Sequence, residues 1–152
     1  MSDVSARNTT ESGTGNTFQS LGTRARNCSG FRWLPGMLTV RGIRVVHACD
    51  GQGLVHGVSD DPYSDQDMWP LPHDAIPDLR DPCTLGGLLW LVREAEQDSE
   101  LFSFRCSAGP HHGWGIESCG YYLVSGRRFE TEAEALVSAL EDAAEVVGWG
   151  EG

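Results

Sequence analysis

Two stretches of helical periodicity, separated by segments with the alternation of β-strands, restrict this chain to a fold that mixes helices and strands. The first helix opens at Asp81-Pro82, where an N-cap carboxylate precedes a proline whose missing N–H costs nothing at the first helical position. Leu85, Leu88, Leu89, Val92 and Ala95 recur at helical spacing and predict a helix to about Gln97, with Trp90 roughly opposite and Leu91 to the side. Such a helix is covered on more than one side. Gly86 and Gly87 each lower helix propensity by ~1 kcal/mol relative to Ala and point to close approach by another element. The second helix starts at Thr131, which forms a capping box with Glu134, and Ala133, Leu136, Val137, Leu140, Ala144 and Val147 line its core face.

The run from Met37 to Ala48 is rich in branched residues and reads as a strand. Its alternation slips: Leu38 and Val40 share one parity, Ile43 and Val45 the other, and a bulge at Gly42 would restore a common face. Turn residues Asp50-Gly51-Gln52-Gly53 then let Leu54 to Val58 fold back as a partner strand. Leu101 to Cys106, Trp114 to Ser118 and Tyr121 to Val124 add three strands, and Arg127 to Glu130 a short last one. The expected class is α+β: an antiparallel sheet of about five strands with two helices packed on it.

Residues 1–30 have a different character. Seventeen of them are Ser, Thr, Gly or Asn, with very few apolar side chains, so composition predicts a disordered, flexible polar tail ahead of a single domain over residues 31–152. That domain carries 20 Asp and Glu against 8 Arg, and the chain has no Lys. The surplus exceeds what solubility needs; it favours a basic partner surface and repels nucleic acid and anionic membrane.

Two places concentrate the charge. Ser59 to Asp81 holds Asp60, Asp61, Asp65, Asp67, Asp74, Asp78 and Asp81, interrupted by Pro62, Pro70, Pro72 and Pro77, and is longer than most unstructured connections in compact domains. Tyr63, Met68 and Trp69 sit among these carboxylates, as anchors ringed by charge do at binding hot spots. The alternative is that Trp69 tucks back to pin the loop. The second place is the outer face of the last helix, where Glu134, Glu141, Asp142 and Glu145 fall together with no basic residue in that helix to neutralise them. These residues are the candidate partner-binding set.

Chemistry finds less support. Cys106, His111, His112 and Cys119 lie within 14 residues and contain enough ligands for a tetrahedral zinc site, yet they lack a Cys-x-x-Cys knuckle. Ordinary strand and turn residues are the better reading of that metal candidate, and no cofactor is expected. No nucleophile elbow, phosphate loop or His-Glu-x-x-His helix is present, so the chain reads as no enzyme. Five Cys without regular spacing, and Met1 followed by Ser2 and Asp3, predict thiols in a reducing cytoplasm rather than a secreted disulfide framework. The longest apolar stretch, Leu88 to Val92, falls far short of the roughly 20 residues that span a bilayer.

Two segments carry a resemblance. Pro77-Asp78-Leu79 with Asp81-Pro82, Thr84-Leu85-Gly86 and Leu88-Leu89 to Leu91-Val92-Arg93-Glu94-Ala95 form the first. Phe129 with Thr131-Glu132-Ala133-Glu134-Ala135-Leu136-Val137 and Ala139-Leu140 form the second. Together they resemble uncharacterised small acidic proteins of GC-rich bacteriophages and prophages. Small acidic phage proteins include inhibitors of host defence, such as anti-CRISPR proteins and DNA mimics that occupy basic nucleic-acid channels. The resemblance implies a phage origin only; joined to the acidic surface, it leads to the expectation of a cytoplasmic, non-enzymatic inhibitor of a host nucleic-acid-processing or defence protein, such as a nuclease. The alternatives are a structural or accessory virion protein and a small zinc-binding protein.

Overall fold

The computed structural model describes residues 8–49, 52–56, 68–107, 112–118, 121–122 and 128–149. Its elements run α1 (Asn8–Asn27), β1 (His47–Cys49), β2 (Gln52–His56), β3 (Met68–Pro70), α2 (Pro82–Glu96), β4 (Phe102–Cys106), β5 (Gly113–Ser118), β6 (Tyr121–Tyr122) and α3 (Glu132–Trp149). The class is α+β, as expected, but its layout differs in two respects. Among the described residues the strands form two antiparallel three-stranded sheets, ordered β1-β2-β3 and β4-β5-β6, instead of one sheet of about five strands. Three helices stand among the described residues where two were expected. Alternation marks where strands lie but not which edges meet, and here α2 separates the two sets in sequence.

The third helix is the segment whose composition predicted a tail. Phe18, Leu21, Gly22 and Ala25 fall on one helical stripe, with Leu21 and Ala25 buried and Phe18 packed on the core. Gly22 matters most for this contact. A Cβ there would lie 2.6 Å from Ile76 Cγ2 and 2.7 Å from the Pro77 carbonyl oxygen, so only glycine lets α1 sit this close to the 76–77 backbone.

The parity slip near Gly42 has a different cause from the expected bulge. The chain reverses at Arg41-Gly42, with Gly42 at φ 84°, and Leu38 bridges Arg44. Thr39 N–H donates to the Ile43 carbonyl at 2.8 Å, and Val45 N–H to that of Met37 at 2.8 Å. The two parities therefore belong to two arms of a tight turn. Beyond it, β1 pairs with β2 with His47 opposite Leu54, and β2 begins at Gln52, two residues before the expected partner strand.

Helix starts follow the sequence. Asp81 is the N-cap of α2: its carboxylate accepts from Thr84 N–H at 2.9 Å and from Thr84 Oγ1 at 3.0 Å. Thr131 Oγ1 accepts from Glu134 N–H at 3.1 Å at the start of α3. Gly87 answers a close approach, since a Cβ there would meet Met37 Cε at 2.5 Å, whereas Gly86 faces open space. The expected short strand at 127–130 is reduced to a bridge between Trp114 and Phe129.

The core surrounds α3 rather than lying under one face of it. Ala133, Ala135, Leu136, Val137, Ala139 and Leu140 are all buried, together with Leu88, Leu91 and Val92 of α2, Leu21 and Ala25 of α1, Leu101 and Ile116. Alternating alanines let α1, α2 and the β4-β5 pair approach α3 from different sides. Truncating a leucine at this centre to alanine would cost ~2–5 kcal/mol.

Candidate functional site

The C-terminal half of α2 presents a stripe to solvent. Trp90, Arg93, Glu94 and Gln97 stand at positions i, i+3, i+4 and i+7, and Gln97 ends the helix in the left-handed region at φ 54°. Asp98 N–H donates back to the Arg93 carbonyl at 2.9 Å, which fixes the chain leaving the helix. These residues, with Asp98 and Ser99, line an open groove of about 510 Å³. Trp90 is 47% exposed. Arg32 is laid over its ring, 5.0 Å from the ring centroid, and forks onto both carboxylate oxygens of Glu94. Arg93 turns away to donate from Nε to the Leu101 carbonyl at 2.6 Å.

Carboxylates gather at this end. Residues 93–100 carry Glu94, Glu96, Asp98 and Glu100 against Arg93 alone, and Asp142 of α3 approaches from beside them. Burial pushes the Glu96 carboxyl above its ordinary range, and the nearby charges of Asp142 and Asp98 push it further. Asp98 is held below its ordinary range by the hydrogen bond from the Ser118 hydroxyl and by Glu100 N–H, which donates to it at 2.9 Å. Among the described residues neither Glu96 nor Asp142 has an ion-pair partner.

The expected acidic face of α3 divides. Glu141 is met by Arg24 of α1, whose Nη2 lies 2.5 Å from its carboxylate, and Glu134 also faces that guanidinium's charge. The neutralising cation comes from the segment expected to be a tail. Asp142 turns to the Glu96 side, where no such cation arrives among the described residues. Glu145 lies on α3 by its backbone.

Of the loop candidates, Asp60, Asp61, Tyr63, Asp65 and Asp67 lie outside the described residues. Met68 and Trp69 are on β3, paired with His56 and Val55, and Trp69 is 60% exposed rather than tucked back. For the metal candidates, Cys106 stands on β4 opposite Gly113 and His112 is exposed before β5, while His111 and Cys119 lie outside the described residues. No group of three or more His, Cys, Asp or Glu able to hold a metal occurs among the described residues. Among them, too, no helix is long and apolar enough to cross a membrane. Cys28 donates its thiol to the Arg24 carbonyl at 3.3 Å, and burial pushes that thiol up to about 11.

The exposure of Trp90 runs against the expectation that this side of the helix is covered, and the Glu96, Asp98 and Asp142 grouping was missed by reading the sequence. The alternating carboxylates at 94, 96, 98 and 100 were visible; the helix end that gathers them and the arrival of Asp142 were not. No protein-family model matches this chain, and neither a curated relative nor a solved structure matches it.

Proposed function

We propose that this chain is a non-enzymatic binding protein of phage type that inhibits a host nucleic-acid-processing or defence protein, in the manner of an anti-CRISPR protein or DNA mimic, by setting carboxylates against an Arg- and Lys-rich surface. The observation that carries this reading is the junction of α2 and α3, where the charges of Asp142 and Asp98 act against that of Glu96 and no basic side chain pairs with Glu96 or Asp142 among the described residues. Carboxylates crowded in this way raise the free energy of the unbound protein, and a cationic surface relieves the repulsion. The composition points the same way: 22 acids against 11 Arg leave the chain with a net charge of −11. Carboxylates so placed can stand where phosphates of a nucleic acid would.

The test begins with affinity purification from a bacterial lysate treated to remove nucleic acid, followed by kinetics with the protein retained. The expected partner is a nuclease or another nucleic-acid-processing protein, with an association rate that falls ~10-fold or more as ionic strength rises past the point where screening acts within about 10 Å. Recovery of the chain alone, or an association rate indifferent to salt, overturns the reading.

A further inference from the structure

We propose that the groove beside Trp90 is the docking point for a basic segment of the partner protein, which lays an Arg or Lys side chain against the exposed indole and sets its charge toward Asp98. This deepens the function proposed above and rests on it.

Three observations combine. An indole that is 47% exposed on a helix face otherwise made of Arg93, Glu94 and Gln97 leaves a large apolar surface in water, and Trp is one of the side chains enriched at the hot spots of interfaces. The surface already receives one guanidinium: Arg32 lies over the ring and forks onto Glu94, so aromatic plane and carboxylate are spaced for a planar cation. Beside that filled place the groove, about 510 Å³ in all, runs on past Gln97 to Asp98 and Ser99, and the carboxylate of Asp98 is the other anion in its lining.

Charge selects the occupant. Residues 93–100 hold four carboxylates against one Arg, with Asp142 nearby, so phosphate groups would be repelled and a cationic side chain attracted. A second copy of this chain is disfavoured by its own net charge of −11. A wholly apolar partner would strip water from Glu94 and Asp98 without replacing their hydrogen bonds.

The experiment titrates the full chain with a short Arg-Ser repeat peptide and follows the tryptophan indole N–H signals by nitrogen-15 NMR, with the Trp90 signal identified by its loss in Trp90→Phe. The expected result is a shift of the Trp90 signal that saturates with the peptide, and ~10-fold weaker binding by Trp90→Ala with Trp69→Ala unchanged, as hot-spot truncation would give. Trp90→Gln should melt as the parent does and bind as weakly as Trp90→Ala. If the peptide binds in a salt-dependent way while the Trp90 signal stays still and Trp90→Ala binds normally, the groove is not the site, although the acidic binding function stands. No binding to any form at low ionic strength overturns both. A single-stranded DNA oligonucleotide that moves the Trp90 signal would overturn the choice of a basic protein segment.

Discussion

Glu96 is the residue on which the acidic junction can be tested directly. Burial, with Asp142 and Asp98 close by, holds its carboxyl above the ordinary range in the folded chain. A carboxyl raised in the folded state favours folding while protonated, and that contribution is lost as pH rises through the folded value. Replacing it with the neutral amide in Glu96→Gln should therefore raise the urea midpoint at neutral pH. The gain should fade in acid below the ordinary carboxylate range, where parent and variant are both uncharged at this position. A loss of stability at neutral pH would show that Glu96 is satisfied by its surroundings. The alternating carboxylates could be read from the sequence, but part of the repulsion at Glu96 comes from Asp142, which is far away along the chain.

At the scale of elements, α1 is the part of the fold that composition concealed. Its stripe of Phe18, Leu21, Gly22 and Ala25 was present in the sequence, but the surrounding Ser, Thr, Gly and Asn outweighed it in any count. Gly22→Ala separates the two views of this segment. On a free helix Ala is better than Gly by ~1 kcal/mol, so in a tail the change would be silent or favourable. On the docked helix the new methyl meets Ile76 and the Pro77 carbonyl at under 3 Å, and stability should fall by ~1–3 kcal/mol in urea unfolding. The starts of α2 and α3 were legible because Asp81-Pro82 and Thr131 act through neighbours three residues away. The reversal at Gly42 was not, because a bulge and a tight turn both demand a glycine and differ only in where the following residues pair.

For the whole molecule, a net charge of −11 acts against compactness through self-repulsion. Each of the five ion pairs among the described residues has at least one side chain more than a third exposed, so these pairs recover little of that cost. Added NaCl should therefore raise the thermal midpoint as ionic strength increases from low values to ~0.15 M, where the Debye length is about 8 Å. A midpoint that falls over this range would mean that the pairs, from Arg24–Glu141 to Arg80–Asp78, outweigh the repulsion.

Alone, the sequence determined the α+β class, the two capped helix starts, the strands around 102–106 and 113–118, and the acidic excess, because each depends on near neighbours or on composition. Tertiary structure decided that the strands part into two sheets, that residues 8–27 are a helix on the core, and that α3 is enclosed on several sides. It also divided the acidic face of α3, giving Glu141 to Arg24 and leaving Asp142 beside Glu96. These outcomes depend on which surfaces fit and on which charges meet across long separations in the chain. Periodicity along a single segment does not encode either of them.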